Sequence, residues 1–169
     1  MASAAAWLRL VRGRGGSSAK ILIVEDNALN IKLFCDLLAA HGHQPEAVTD
    51  SRNALDVARS FSPDLVITDI QLPHVSGLDL IRLIRKDEQL AEVPIMAVTA
   101  YSARGDEERI RAAGAQAYVS KPISVVRFAE TVDELLKGES DAAEIDNPES
   151  RANQEVDGPG PGEAGGEED

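Results

Sequence analysis

The stretch LVITDIQLP, Leu65 to Pro73, begins as a buried strand and then breaks its own pattern. Largely apolar residues lead directly into Asp69, and Pro73 follows four positions later. Carboxylates are rarely buried without partners, so a core strand that ends in Asp69 must either compensate this charge or use it. The sequence on either side of the stretch indicates which of the two applies.

Apolar runs and amphipathic segments alternate along most of the chain. The apolar runs predict five strands, AKILIVED (19–26, with Lys20–Val24 as the strand), QPEAVT (44–49), DLVITD (64–69), VPIMAVTA (93–100) and QAYVS (116–120). The amphipathic segments predict five helices. The first is capped by Asn27, runs through Leu29, Leu33, Leu37 and Leu38 and stops at Gly42, and the second and third begin at Ser51 and Gly77. The fourth spans 105–113, and the fifth spans 124–137 with Val125, Phe128, Val132 and Leu135 on one face. Five such βα units predict an α/β fold, a three-layer α/β/α sandwich around a five-stranded parallel sheet.

The formal charge of −12 is distributed unevenly. Residues 1–18 contain three arginines and no acid, which predicts a flexible basic leader; a targeting segment, a start-site artefact and a functional arm all remain open for it. Residues 138–169 contain one arginine and 11 acids, which predicts a disordered acidic tail. The domain is therefore expected within 19–137.

The chain has one cysteine, Cys35, which excludes an intrachain disulfide and is expected to be a buried packing thiol. Since no apolar run reaches about 18 residues, we expect a cytoplasmic protein without a membrane span.

Polar side chains stand where the apolar runs stop. Strand one ends in Glu25 and Asp26, strand three in Asp69 and strand four in Thr99, while strand five leads into Lys121. In open parallel α/β sheets, ligand sites form beyond the carboxyl ends of the strands. These side chains are therefore expected to meet at one edge of the sheet.

The residue types at this edge indicate a particular chemistry. Three clustered carboxylates repel one another unless a cation is present, and oxygen ligands without histidine or cysteine favour Mg²⁺. A carboxylate can also attack phosphorus to give an aspartyl-phosphate, and the transferred group needs a cation, a lysine and a hydroxyl around its oxygens. All of these groups are present by type.

Four motifs together identify a resemblance. ILIVEDN, DLVITDIQLPHVSGLDLI, PIMAVTA and AYVSKPI resemble, in order and spacing, the motifs of the response-regulator receiver domain, which has a flavodoxin-like (CheY-like) fold. The match spans roughly residues 19–137. VEDNALNIKLF, GDEERIRAAGA and SKPISVVRFAETV are similar in addition to the DivK-type single-domain regulators of bacterial cell-cycle phosphorelays.

The resemblance implies a role for each matching position. Asp69 would be the phosphoacceptor, and the metal ligands would be Glu25, Asp26, Asp69 and the main-chain carbonyl of Gln71. Many family members have Asp at the position of Glu25, and the additional methylene of Glu25 alters the contact that this position would make with the metal. Thr99 would hydrogen-bond the phosphoryl group, Lys121 would pair with it, the Lys121–Pro122 bond would be cis, and Tyr118 would be the switch aromatic.

The family also implies partners. A sensor histidine kinase/phosphatase or a histidine phosphotransfer protein would exchange the phosphoryl group, and a downstream protein would bind the surface of the fourth helix, fifth strand and fifth helix. No DNA-binding pattern follows Lys137, so we expect protein contacts as output, with no nucleic acid and no enzymatic activity beyond self-phosphotransfer and slow self-dephosphorylation. His41, His43 and His74 lack metal-site spacing.

Two other functions compete with this interpretation. A haloacid-dehalogenase-type phosphatase would need a second acid two positions after its nucleophile, where this chain has Gln71. A phosphorylation-independent scaffold with the same fold also remains open. A dinucleotide-binding domain is disfavoured, because EDNALN replaces the glycine-rich turn after the first strand.

Overall fold

The computed structural model of the protein describes residues 18–100 and 104–138. The predicted basic leader (1–18) and acidic tail (138–169) lie, except for Ser18 and Gly138, outside the described residues. No helix within the described ranges is long and apolar enough to cross a membrane.

The described residues form five strands that alternate with five α-helices, as the sequence predicts. In chain order these are β1 Lys20–Val24, α1 Ala28–Ala40, β2 Gln44–Val48, α2 Ala54–Phe61, β3 Leu65–Asp69, α3 Gly77–Lys86, β4 Ile95–Thr99, α4 Arg104–Ala113, β5 Ala117–Ser120 and α5 Val125–Leu136. The strands form one parallel sheet in the order β2-β1-β3-β4-β5. The step from β1 to β3 across the sheet is the topological switch point at which such folds place their sites.

Side chains of successive strand residues enter two separate cores, one on each face of the sheet. In β1, Leu22 and Val24 face the core covered by α2, α3 and α4, whereas Ile21 and Ile23 face the core covered by α1 and α5. On the second face the rings of Phe34 and Phe128 stack with centroids 4.9 Å apart. This arrangement confirms the predicted three-layer sandwich.

Two helices differ in detail from the prediction. The helix predicted from Ser51 begins as a 3₁₀ turn, Ser51–Asn53, because the Asp50 side chain accepts the Arg52 N–H and tightens the first turn. The predicted apolar face of α5 is buried from Phe128 onward, whereas Val125, the first residue of the helix, is 47% exposed. The buried residues of this helix are Phe128, Thr131, Val132 and Leu135.

Helix α1 also buries a narrower face than its leucines suggest. Phe34 and Leu38 are buried, whereas Leu29 is 79% exposed at the start of the helix. Cys35 is half-buried and packs against the α1/α5 core, so the predicted packing role holds but full burial does not. Burial, together with the charges of Asp36 and Glu46, raises the pKa of the thiol.

Candidate functional site

Three carboxylates meet at the carboxyl edge of the two central strands β1 and β3. Glu25 and Asp26 directly follow β1 and Asp69 ends β3, and these side chains each offer an oxygen within 4.8 Å of the others. Glu25 is 1% and Asp69 is 4% exposed, whereas Asp26 is exposed to solvent. Parallel strands present the same end to one edge of the sheet, so the meeting of these three carboxylates was predicted from the sequence.

Lys121 supplies positive charge to the cluster. Its Nζ lies 2.6 Å from Asp69 Oδ2 and 3.7 Å from Glu25 Oε2. Burial acts to lower the pKa of Lys121, but the hydrogen bond and charge of Asp69, with the charges of Glu25 and Asp26, outweigh burial and raise it. The ammonium form therefore persists beside the carboxylates. The Lys121–Pro122 bond is cis, as expected from the motif.

Glu25 is held by the loop that starts α1. Its Oε1 accepts the Asn27 N–H at 3.0 Å, and its Oε2 accepts from Asn30 Nδ2 at 3.4 Å. Burial raises the pKa of Glu25, an effect that the Asn27 N–H opposes and the charge of Asp69 reinforces. Asn30 was not a predicted site residue. The sequence feature that could have identified Asn30 is its position one turn after the capping Asn27. The Asn27 side chain accepts the Leu29 and Asn30 N–H groups.

The loop after β3 turns back tightly against Asp69. The Gln71 N–H donates to Asp69 Oδ1 at 2.9 Å, and the Gly77 N–H donates to the Ile70 carbonyl at 2.9 Å. A Cβ on Gly77 would lie 2.1 Å from the Asp69 carbonyl oxygen. Gly77 is therefore required by the close approach of α3 to the backbone at the end of β3.

Thr99 and Tyr118 lie on the neighbouring strands. Thr99 is buried at the end of β4, and its carbonyl accepts the Lys121 N–H at 2.7 Å. Tyr118 pairs with Ala97 in the β4–β5 register and packs, partly buried, against the core beneath α2, α3 and α4. Thr99 thus ends a strand at the edge where the carboxylates meet, while Tyr118 sits below that edge and towards α4.

The three histidines stand apart from this cluster. His41 and His74 are exposed, and the half-buried His43 accepts the Ala19 N–H at its Nδ1, 3.3 Å away. Within the described ranges, the metal-capable group of acidic side chains consists of Glu25, Asp26 and Asp69.

The donor set decides what the site can do chemically. Its ligand atoms are carboxylate oxygens, which suit a hard divalent cation such as Mg²⁺. Asp69 is a buried carboxylate beside an ammonium group, which is the arrangement expected of a nucleophile whose transferred group carries negative charge. The geometry therefore accommodates both a bound divalent cation and a nucleophilic carboxylate, the two functions predicted from the strand ends.

Sequence comparison with known proteins identifies the family of this chain and similar proteins of two bacteria. Residues 21–133 match the model of the response regulator receiver domain. The chain is 52% identical over 116 residues to the polar-differentiation response regulator DivK of Brucella ovis, covering 69% of this chain and 94% of the relative. The DivK of Brucella anthropi is 51% identical over the same length and shares.

Solved structures show the same fold. The chemotaxis protein CheY4 of Vibrio cholerae superposes with a TM-score of 0.67 at 24% identity, covering 70% of this chain and 99% of that one. The receiver domain of a Pseudomonas aeruginosa sensor histidine kinase, which has a magnesium ion coordinated in its active-site cleft, gives a TM-score of 0.66 at 30% identity, covering 72% and 99%. The flavodoxin-like, CheY-like fold class is thereby confirmed.

Proposed function

This chain belongs to the response regulator receiver domain family, and from that membership we propose that it works in a phosphorelay by accepting a phosphoryl group on Asp69. The relationship to polar-differentiation response regulators supports a cell-cycle or developmental pathway, and we place that pathway in the cytoplasm. The observation that carries the proposal is the burial of Asp69 at the sheet edge, with Lys121 Nζ 2.6 Å from its Oδ2. This contact holds the predicted acceptor beside the cation that its product would need.

The donor of the phosphoryl group is a phosphohistidine on a sensor kinase or phosphotransfer protein. A carboxylate oxygen of Asp69 forms the new P–O bond as the P–N bond of the phosphohistidine breaks, and the bonding electron pair stays on the imidazole nitrogen. Lys121, which follows β5, and the hydroxyl of Thr99, which ends β4, would stabilise the phosphoryl oxygens. The chain itself then performs self-phosphotransfer and slow self-dephosphorylation.

Mg²⁺ is the proposed cofactor, because the cluster offers oxygen donors of the kind this ion prefers. Asp26 and Asp69, with the main-chain carbonyl of Gln71 and with Glu25, are the residues that would hold it. When bound, the ion would offset the charge of the carboxylates and of the phosphoryl group. Glu25 has both oxygens engaged by other groups of the chain, which favours a supporting role for it.

The output is a change in protein contacts. Thr99 and Tyr118 lie on the adjacent strands β4 and β5, and through them phosphorylation would alter the surface formed by α4, β5 and α5. Movement of the Thr99 hydroxyl towards the phosphoryl group would make room for Tyr118 to turn inward, and a downstream protein would read the changed surface. Such a shift requires that the phosphoryl group interact differently with the two conformations.

The test is covalent labelling by acetyl phosphate in the presence of Mg²⁺. We expect wild-type protein to acquire one acid-stable, hydroxylamine-sensitive acyl phosphate, and Asp69→Asn to acquire none because the amide is no nucleophile. Chelation of Mg²⁺ with EDTA should abolish labelling of the wild type. Phosphate-affinity electrophoresis and mass spectrometry of the intact protein measure the yield.

Asp64→Asn is the matched control, because Asp64 precedes the same strand at its opposite end and is exposed. This variant should be labelled like the wild type. Equal labelling of Asp69→Asn would overturn the assignment of the acceptor. Partner binding that is independent of phosphorylation would favour the scaffold function instead.

A further inference from the structure

A buried serine joins the two loops that follow β2 and β3. Ser51 is 3% exposed, and its hydroxyl donates to the Pro73 carbonyl at 2.8 Å. The same oxygen accepts the Val75 N–H at 3.1 Å. One side chain therefore satisfies two main-chain groups more than 20 residues away, and sequence reasoning gave Ser51 no role beyond starting a helix.

The loop that Ser51 holds is the one that follows the proposed phosphoacceptor. At its beginning, the Gln71 N–H is bonded to Asp69 Oδ1, and the Ile70 N–H is bonded to the Val98 carbonyl at 2.9 Å. At its end, Gly77 is bonded back to Ile70. The segment between these points, which includes Pro73 and Val75, is held from the side by Ser51.

The turn that carries Ser51 is itself well fixed. Asp50 accepts the Arg52 N–H at 3.0 Å and pairs with the Arg52 guanidinium at 2.7 Å, while the Asn53 N–H donates to the Asp50 carbonyl. The hydrogen bonds from the Arg52 side chain and N–H lower the pKa of Asp50 to about 2, so this pair stays charged at physiological pH. Ser51 is thus presented to the acceptor loop by a turn that is already ordered.

We infer that Ser51 is a positioning residue for phosphoryl acceptance, because its hydroxyl fixes the loop whose Gln71 N–H orients the Asp69 carboxylate. The inference rests on the proposed function of Asp69. Ser51 acts through the loop and not by contact with the phosphoryl group. Removing the hydroxyl leaves the Pro73 carbonyl and the Val75 N–H without this shared partner, so the tie between the two loops is lost and water has to replace it.

The experiment compares Ser51→Ala with Ser51→Thr, which keeps the hydroxyl, and with Thr131→Ala. Thr131 is a matched control, because it is buried and its hydroxyl donates to the Arg127 carbonyl at 2.8 Å within α5, outside both loops. We expect Ser51→Ala to be labelled by acetyl phosphate about three- to ten-fold more slowly, since small misplacements of reacting groups are costly. Thr131→Ala should be labelled at the wild-type rate, and Ser51→Thr should recover part of the loss.

A second measurement does not depend on phosphorylation. Amide hydrogen exchange followed by NMR should show faster exchange of Gln71 and Val75 in Ser51→Ala than in Thr131→Ala, at a temperature where both variants are folded. Wild-type labelling rate and unchanged Gln71 exchange in Ser51→Ala would overturn this inference alone. If Ser51→Ala and Thr131→Ala lost the same fraction of the labelling rate, the inference would be overturned as well, because the effect would then come from lower stability and not from the position of the loop. Failure of the wild type to be labelled would instead overturn the proposed function and this inference with it.

Discussion

At the scale of single residues, the site depends on two buried carboxylates that share one partly exposed lysine. Asp69 and Glu25 are buried side by side, and Lys121 bridges them from the edge strand. The charge of Lys121 opposes the rise in the pKa of Glu25 that burial causes. The raised pKa of Glu25 shows that burial and the charge of Asp69 are only partly compensated.

Thr99→Ala is predicted to separate phosphorylation from signalling. The variant should still form the acyl phosphate at Asp69, because the nucleophile and Lys121 remain. It should lose phosphate-dependent partner binding by about ten- to hundred-fold, since a hydrogen bond to a charged group contributes about 1.5–3 kcal/mol. Titration calorimetry with the partner, at matched phosphate occupancy, measures this. Equal affinity of the two phosphorylated proteins would show that the coupling bypasses Thr99.

His43 is predicted to make stability depend on pH. Burial lowers its pKa from the ordinary 6.5, Asp133 opposes this shift and His41 reinforces it, and Nδ1 accepts the Ala19 N–H only while it is unprotonated. Because the unfolded chain binds the proton more tightly, this contribution is complete above pH 6.5 and is lost as pH falls through the folded pKa.

His43→Asn keeps an acceptor for the Ala19 N–H and removes the titrating group. Its melting temperature should fall less than that of the wild type between pH 7 and pH 5, as measured by circular dichroism. His74→Asn, at an exposed histidine of the loop after β3, is the control and should retain the wild-type pH profile. Parallel profiles for wild type and His43→Asn would show that His43 does not contribute.

At the scale of elements, the site is set by how helices begin beside the strand ends. Side-chain caps start α1, α3 and α5, through Asn27, Ser76 and Ser124 respectively. Each cap satisfies N–H groups that the first turn leaves unpaired, so the helices start within a few residues of the functional strand ends.

Gly77→Ala is predicted to displace the end of β3, because Gly77 is the first residue of α3 and lies against the Asp69 backbone. The added Cβ would meet the Asp69 carbonyl oxygen at 2.1 Å and the Ile70 Cα at 2.6 Å, so backbone must move. We expect a loss of about 1–3 kcal/mol or more in the free energy of unfolding, together with slower labelling of Asp69. Urea denaturation measures the first effect and acetyl phosphate labelling the second.

Gly105→Ala is the control for this substitution. Gly105 is exposed in α4 and has no atom within 4 Å of an added Cβ, so alanine there should be neutral or stabilising by up to about 1 kcal/mol. Gly77→Ala behaving like Gly105→Ala would contradict the close approach of α3 to Asp69.

At the scale of the whole molecule, stability comes from two cores that share one sheet. β1, β3 and β4 are buried on both faces, with α1 and α5 on one side and the other three helices opposite. The buried apolar residues of the described ranges run from Ala19 to Leu135. The predicted domain boundaries of 19 and 137 enclose them.

Deleting residues 139–169 is therefore predicted to leave the melting temperature within about 2 °C of the full chain. A segment with 11 acids and few apolar residues has little to bury, so its removal should also leave Asp69 labelling unchanged. Differential scanning calorimetry of the full and shortened chains measures the effect. A loss of several degrees would show that the acidic segment docks on the domain.

The sequence by itself determined the order of the elements and the composition of the site. Apolar runs of strand length, each followed by a polar residue, predict both the parallel sheet and the edge at which Glu25, Asp69 and Lys121 meet, because parallel strands share a direction. Asn27 and Ser124 mark helix starts by local hydrogen bonding. These features depend on neighbours in the chain, so a linear pattern contains them.

Only the tertiary structure decided which side of each helix is buried and which loops touch. Leu29 and Leu38 are equally apolar residues of α1, yet Leu38 joins Phe34 in the core while Leu29, on the opposite side of the helix, is 79% exposed. Ser51 reaches Pro73 because β2 and β3 flank β1 in the sheet, an order that no local pattern contains. Helix rotation and loop contacts are set by packing between segments distant in sequence, where small differences in burial choose among alternatives that a local pattern leaves equal.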